Sequence, residues 1–405
     1  MKRIACLATI ILLPFLASAD PQGSTLTPAW PERAFEDALG GKGVVFELEY
    51  DPRRLISRQL PMGGGRAGVR THAGLLLERL GDAAQGVTVD AVLGEGPNSL
   101  VFDGVWVDED LPSDGQALLF ASLSADEPHE IERTWMAYEP ATTEDVDGLA
   151  VIVPGTFGYP AELYEKWSDD LRSRGWSVLR LLSQPSRFTE HVLVDIDGDA
   201  AEEGTAFAER ADDRTAEAAY AVAYGTRHIE ALDPRLAGKP RAILGFSGGA
   251  ILAPGIVARE PHRYETVVLV AGGANAASIS IDSTFMARFI RSVTFRFAGE
   301  DQDADREAFE SAYLERASLD GYHSVLQFRD DARVLVLDGS FDQAVPFASS
   351  ELMVQRLSAG GVEPARRTYP VNHVMLFLSL NESFGQINDW IVGPEGVELA
   401  LPPGK

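Results

Sequence analysis

Short runs of apolar residues alternate with amphipathic segments along the chain from about residue 131 onward. Each run is apolar at consecutive positions, which is typical of a strand buried on both faces of a sheet. The predicted strands are residues 149–153, 176–182, 242–244, 267–270 and 334–337. Because helical segments separate them, the pattern predicts an α/β fold with a mostly parallel central sheet and helices on both faces.

The segments between these runs carry an apolar residue about every four positions, which predicts amphipathic helices. Leu163, Trp167 and Leu171 form the clearest of these repeats, and Gly175 follows as a stop signal. Two further helices are predicted, an alanine-rich one at about 215–232 and a last one at 384–391.

Residues 20–130 lack this alternation. Short β-type runs occur there, and dense glycine and proline turn signals separate them. The runs are residues 44–50, 100–102, 105–107 and 117–120. The pattern predicts a β-rich N-terminal extension or accessory unit, followed by an α/β domain over residues 131–398.

The first residues have the pattern of a secretory signal peptide. Lys2 and Arg3 precede an apolar run at 4–16, and small residues then lead to Ala19. The run is shorter than the roughly 20 apolar residues that a membrane-spanning helix needs. The sequence therefore predicts export to the periplasm or the medium, with cleavage near Ala19 and no membrane span in the mature chain that begins at Asp20.

Charge and cysteine content exclude several classes of function. The chain has 61 acidic and 35 basic residues and a net charge of −26, which repels nucleic-acid phosphates, so nucleic-acid binding is not expected. The single cysteine, Cys6, lies in the predicted signal peptide. The mature chain therefore has no thiol for a disulfide or a catalytic cysteine.

Two acidic clusters resemble the start of a calcium loop, but both lack the glycine and glutamate that complete one. They are Asp195, Asp197 and Asp199, and Asp301, Asp303 and Asp305. No zinc-type histidine pattern is present either. We expect neither a metal nor a cofactor, and the sequence leaves the oligomeric state open.

The candidate chemistry begins with Gly-Phe-Ser-Gly-Gly at residues 245–249, between a predicted strand and an apolar helix pattern. A serine on so tight a turn has a strained backbone, and its neighbours must be glycines for the turn to close. Ser247 is therefore the candidate nucleophile, with its hydroxyl at the carboxyl edge of the sheet. Pro254 falls inside the helix that follows.

A serine hydroxyl needs a base that removes its proton, and the base needs a carboxylate that orients it. His373 is the candidate base, because it follows a late extended run and precedes an apolar helical segment. Asp342 stands just beyond the strand 334–337 and is the candidate acid; Asp338, at the end of that strand, is its rival. Serine, acid and histidine then follow in the order expected for such a sheet.

Backbone donors for an oxyanion are expected at two places. The amide of Gly248, next to the candidate nucleophile, is one. The glycine-rich turn at 153–158 follows the first strong strand, and its Thr156 or Phe157 amide is the candidate for the other.

These motifs together resemble the α/β-hydrolase superfamily over roughly residues 131–395. The resemblance rests on four motifs: Pro-Gly-Thr-Phe-Gly at 154–158, the serine turn at 245–249, Asp-Gly-Ser-Phe-Asp-Gln-Ala-Val-Pro at 338–346 and Asn-His at 372–373. Pro154 stands where the superfamily often has histidine. The resemblance implies a cap inserted at 275–330, where Phe285 and Phe289 are candidates for lining a substrate pocket. Judged from the residues alone, these aromatic side chains fit an ordinary hydrophobic core as well as they fit a cap.

The leading hypothesis is an exported serine hydrolase that cleaves a small carboxylic ester through an acyl-enzyme intermediate on Ser247. A serine peptidase or amidase uses the same three residues. A non-catalytic binding protein with the same fold is the alternative from another class, although it has no need for all three side chains.

Overall fold

The computed structural model describes residues 25–30, 44–48, 115–123, 131–155, 161–181, 192–284, 293–299 and 301–393. The predicted signal peptide and the predicted strands at 100–102 and 105–107 lie outside these residues.

Eleven strands occur among the described residues. They are β1 (Val44–Leu48), β2 (Gln116–Leu123), β3 (Ile131–Glu139), β4 (Gly148–Val153), β5 (Trp176–Leu181), β6 (Val192–Ile196), β7 (Arg241–Phe246), β8 (Tyr264–Val270), β9 (Val293–Phe297), β10 (Arg333–Gly339) and β11 (Ala365–Tyr369). Each of the five predicted α/β strands is present, with bounds that differ by a few residues.

Nine α-helices lie in the same part of the chain. They are α1 (Ala161–Ser173), α2 (Ala200–Leu232), α3 (Gly248–Arg259), α4 (Ala276–Asp282), α5 (Gln302–Arg316), α6 (Gly321–Ser324), α7 (Phe347–Ala359), α8 (His373–Leu380) and α9 (Phe384–Val392). Three 3₁₀ turns join them, at Pro234–Leu236, Pro261–Arg263 and Val325–Gln327.

Nine strands form one sheet in the order β1-β2-β3-β5-β4-β7-β8-β10-β11. The six strands from β5 to β11 in this order pair in parallel, and β1, β2 and β3 pair antiparallel at the other end. The predicted mostly parallel α/β sheet is confirmed. β1 and β2 come from the predicted N-terminal extension and continue this sheet; the domain boundary at residue 130 stays a prediction.

Successive residues of β4 enter the two different cores of the sheet, as the period of a strand requires. Leu149, Val151 and Val153 join the core that is covered by α2, α3 and α7. Ala150 and Ile152 join the core that is covered by α1, α8 and α9. Because both faces are buried, an uninterrupted apolar run is the only pattern that suits such a strand.

Helix α2 begins at Ala200, well before the predicted start at about residue 215. Asp199 caps it, since the side chain accepts hydrogen bonds from the N–H groups of Ala201 and Glu202. The added turns bury Phe207 in a third, smaller core instead of the two cores of the main sheet. The predicted start was wrong because this part of the helix has few apolar residues.

The smaller core lies on a parallel pair of strands, β6 and β9, which belong to a separate two-stranded sheet. Phe295 of β9 lies edge-on to Phe207 at 5.4 Å and to Phe309 of α5 at 5.3 Å between ring centroids. Gly204 lets α2 and α5 approach closely, because a Cβ there would collide with the carbonyl of Phe309. The region 275–330 supplies four of the nine buried residues of this core and six of the seven partly buried hydrophobic residues that pack against it. Its role as a cap stays a prediction.

The segment 25–30 crosses to the C-terminal half of the chain. The N–H of Leu26 donates to Nδ1 of His323 (3.3 Å), and the N–H of Ala29 donates to Oγ of Ser318 (2.9 Å). Burial lowers the pKa of His323, which keeps Nδ1 free to accept that bond. The ring of Trp30 lies 5.0 Å from the Arg259 guanidinium. Residues 25–30 therefore pack against the α/β domain.

Candidate active site

Ser247 occupies the turn between β7 and α3 and has φ 52° and ψ −117°. This left-handed conformation is strained for a residue with a side chain, and it turns the hydroxyl out of the sheet edge. The N–H of Ser247 donates to the carbonyl of Val270 (2.8 Å), which ties the turn to β8.

The neighbouring glycines are required by close backbone packing. A Cβ at Gly245 would lie 2.6 Å from the carbonyl oxygen of Gly249. A Cβ at Gly249 would collide with the carbonyl of Val153 at the end of β4. The steric reason predicted for the motif therefore holds at both positions. The helix α3 that follows continues through Pro254 to Arg259.

Ser247, His373 and Asp342 are brought together. Nε2 of His373 lies 2.9 Å from Oγ of Ser247, and Nδ1 lies 2.7 Å from Oδ2 of Asp342. With the proton on Nδ1, the imidazole donates to the carboxylate and accepts from the serine hydroxyl. The other carboxylate oxygen accepts from the N–H groups of Ala344 (2.8 Å) and Val345 (2.9 Å), which fixes its orientation.

Asp338 does not take part in this arrangement. Its Oδ2 accepts from Oγ of Ser350 (2.8 Å) and from Nε of Arg366 (2.8 Å). Asp338 is buried at the end of β10 and binds that strand to α7 and β11. The structure therefore places Asp342, and not the rival Asp338, beside His373.

Backbone hydrogen bonds hold the two loops that carry His373 and Asp342 side by side. Just after β10, the N–H of Ser340 donates to the carbonyl of Tyr369 (2.8 Å), and the N–H of Phe341 donates to the carbonyl of Val371 (3.2 Å). A Cβ at Gly339 would lie 2.6 Å from the Val371 carbonyl, so glycine permits this approach. The loops therefore extend the pairing of β10 with β11 to the site.

Asn372 fixes the start of α8, because its side chain accepts from the N–H of Met375 (3.0 Å). His373 is consequently the first residue of that helix, and Phe377, one turn later, packs against its ring at 5.1 Å. A cap and a ring contact thus orient the imidazole.

The glycine-rich turn predicted to supply oxyanion donors comes close to Ser247. A Cβ at Gly155 would lie 3.3 Å from the serine Cβ, and the N–H of Gly155 donates to the hydroxyl of Tyr164 (3.2 Å). Gly248 is the first residue of α3, so its amide is one of the unpaired N–H groups of a helix start. Thr156 and Phe157, the other predicted donors, lie outside the described residues.

Tyr164 was not predicted. It lies on α1, holds the turn at Gly155, and packs edge-on against Phe246 at 5.5 Å. Within its helix it is one apolar position among several, so nothing in the pattern distinguishes it. Phe285 and Phe289, the candidates for a substrate pocket, lie outside the described residues.

One buried carboxyl group braces the loop after β8, and another braces the connection between α5 and α6. Asp320 accepts from the N–H of Asn275 (2.8 Å), which has a left-handed backbone with φ 65°. Asp212 accepts from Oγ of Ser318 (2.9 Å) and from the N–H of Leu319 (3.0 Å). Burial, with the nearby charge of Asp320, raises the pKa of Asp212 to about 7.

The acidic clusters resembling calcium loops have other partners. Asp195 pairs with Arg296 at 2.9 Å, and Asp199 and Asp301 cap α2 and α5. Within the described ranges, no group of three or more histidine, cysteine, aspartate or glutamate side chains is placed to hold a metal. In those ranges there is also no helix with the length and apolar content to span a bilayer.

Comparison with known protein families supports the serine-hydrolase chemistry that the arrangement of Ser247, His373 and Asp342 indicates. The model of the prolyl oligopeptidase family, Peptidase_S9, matches residues 191–379, which include Ser247, Asp342 and His373. The fold and the matched residues 191–379 are those of the α/β-hydrolase superfamily. The chain is a serine hydrolase, and the predicted fold and enzyme class are confirmed. No curated protein sequence matches this hydrolase.

Solved structures with a similar fold include peptidases and esterases. The Pyrococcus horikoshii acylaminoacyl peptidase has 11% sequence identity and a TM-score of 0.45, and the match covers 70% of this chain and 49% of the peptidase. A cold-adapted esterase from an Arctic intertidal metagenomic library has 15% identity and a TM-score of 0.40, and the match covers 71% of this chain and 97% of the esterase. Est1E from Butyrivibrio proteoclasticus has 13% identity and a TM-score of 0.41, and the match covers 63% of this chain and 93% of Est1E. The hydrolase thus matches about half of the peptidase chain and nearly the whole of each esterase.

Proposed function

We propose that this hydrolase cleaves carboxylic esters of small molecules through an acyl-enzyme intermediate on Ser247. The hydrogen-bond chain from Ser247 through His373 to Asp342, with distances of 2.9 and 2.7 Å, carries the proposal. No cofactor takes part in the reaction as proposed.

In the first half of the reaction, Oγ of Ser247 attacks the acyl carbon while its proton passes to Nε2 of His373. Asp342 stabilises the imidazolium that forms. The tetrahedral intermediate collapses, and the alcohol leaves with the proton from Nε2. A water molecule then repeats these steps on the acyl-enzyme and releases the acid.

Two backbone amides would stabilise the oxyanion in both halves of the reaction. Gly248 is the first proposed donor, and Thr156 or Phe157 is the second. Each donor of this kind contributes about 2.7–4 kcal/mol in the transition state. The approach of Gly155 to Ser247 supports this placement of the turn.

Peptide or amide cleavage is the second candidate, and the match to the prolyl oligopeptidase family favours it. An ester is the less demanding substrate for the same three residues, because an alcohol or phenol leaves more readily than an amine. A site that cleaves an amide also cleaves the ester of the same acyl group, so ester hydrolysis is the minimum activity of this geometry.

A matched pair of substrates separates the two candidates. A 4-nitrophenyl ester and a 4-nitroanilide of the same acyl group differ only in the leaving group, and the anilide alone needs protonation by His373. We expect kcat/KM to be about 10²- to 10⁴-fold higher for the ester, the usual contribution of general acid catalysis. Comparable values for the two substrates would identify the protein as a peptidase or amidase.

We also propose that the protein is exported, with residues 1–19 removed. The basic start, the apolar run and the small residues up to Ala19 support this proposal. Mass spectrometry of the protein secreted by its host, or released from the periplasm, is expected to find Asp20 as the first residue. The full-length chain in the membrane fraction would contradict it.

A further inference from the structure

Large apolar side chains are exposed beside the active site. Among the described residues, five large hydrophobic side chains are exposed, and four of them lie on the two chain segments that carry Asp342 and His373. These four are Phe341 (65% exposed), Val374 (50%), Met375 (47%) and Leu378 (55%), and together we call them the apolar rim. The fifth is Leu232 (44%), at the end of α2.

The rim belongs to the two segments that carry the acid and the base. Phe341 directly precedes Asp342, and Val374 directly follows His373. The backbone bond from Phe341 to Val371 holds the two segments together at 3.2 Å. The rim is therefore attached to the catalytic loops themselves.

Helix α8 is apolar on both of its faces, which is unusual for a helix at a protein surface. Its buried side carries His373 and Phe377, and the Phe377 ring lies 6.4 Å from that of Phe246. The other side carries the three rim residues of the helix, which are exposed. These side chains are exposed and take no part in the core to which Phe377 belongs. They suit contact with an extended apolar surface outside the site.

The charge of the chain limits the kinds of surface that can bind the apolar rim. The chain has a net charge of −26, whereas residues 368–381 contain no acidic or basic residue other than His373. Two copies of so acidic a protein repel each other, and an anionic membrane repels it as well. An uncharged apolar surface does not repel the protein, and burial of the rim against it is favourable in free energy.

We propose that the apolar rim adsorbs the hydrolase to the surface of a dispersed, uncharged, water-insoluble ester, which is the substrate of the adjacent site. The substrate class in this proposal rests on the proposed ester hydrolysis. Adsorption at the rim would hold the triad against a surface where ester groups are concentrated.

Flotation with a triolein emulsion tests the proposal. Adsorption is measured in the Ser247→Ala background, so that the droplets are not consumed, and protein is quantified in the floated layer. The variant Met375→Gln/Leu378→Gln removes half of the rim, and glutamine keeps the helix propensity of α8. Leu232→Gln is the matched control, because it replaces the exposed hydrophobic side chain outside the rim.

We expect the parent protein to float with the droplets at low and at high salt. The partition coefficient of the double variant should fall about tenfold or more, as the loss of two apolar contacts implies. Leu232→Gln should leave it unchanged, and thermal unfolding should show that all three proteins are folded. Since no turnover is needed, a failure of ester hydrolysis would appear separately, in the matched-substrate assay.

Several outcomes would overturn the proposal. The parent protein could fail to float, or Leu232→Gln could lose as much adsorption as the double variant. Stronger binding to phosphatidylglycerol vesicles than to triolein would point to a membrane instead. Light scattering could also find a dimer that the double variant dissociates, which would make the rim an interface between two copies.

Discussion

Ser247→Ala is expected to lower kcat by about 10⁴- to 10⁶-fold, the range found when the nucleophile of such a triad is removed. The reason is that the hydroxyl 2.9 Å from Nε2 of His373 is the group that forms the acyl-enzyme. Alanine fits the same strained turn, so the variant should unfold at nearly the temperature of the wild type.

Kinetics and active-site labelling together check this expectation. A fluorophosphonate probe should label the wild type and the exposed control Ser173→Ala, and should not label Ser247→Ala. If Ser247→Ala keeps more than about one per cent of the wild-type rate, Ser247 is not the nucleophile.

Asp342→Asn is expected to lower kcat by about 10⁴-fold with little effect on stability. An asparagine amide would donate to Nδ1 of His373 and force the proton onto Nε2. That nitrogen then cannot accept the proton of Ser247. The side-chain oxygen of asparagine can still accept from Ala344 and Val345, so the loop should keep its structure.

Asp338→Asn is the matched control for this prediction, and it should show the opposite pattern. Asp338 accepts from Ser350 and Arg366, so its loss should destabilise the protein by about 1–3 kcal/mol. The effect on kcat should be far smaller, because Asp338 does not contact His373. Initial rates and thermal unfolding of both variants test which aspartate orients His373. The reverse ranking in kcat would make Asp338 the orienting acid.

Some elements could be predicted from sequence because their own residues determine how they pack. The apolar run at 149–153 became β4, because a strand buried on both faces has no polar position. The serine turn was also predictable, since the demand for glycine at 245 and 249 arises from packing within a few residues and against the adjacent strand end.

Elements that depend on distant partners were missed or misplaced. Among the residues that the structure describes, β6 and β9 pair only with each other, across about a hundred residues of chain. The first half of α2 packs on the small core that they support, so its few apolar positions resemble a solvated segment when read alone. Tyr164 was missed for the same reason, because its partner, Gly155, lies on a loop outside its own helix.

The sequence by itself determined the alternating sheet and helix order, the strained serine turn and the residue types available for the chemistry. These follow from local periodicity and local sterics, which a chain carries wherever it folds. Only the tertiary structure decided that Asp342 and not Asp338 faces His373, and that α8 leaves an apolar face exposed. Ser247 and His373 are 126 positions apart, and their distance depends on how parallel strands align their carboxyl ends, which no local pattern encodes.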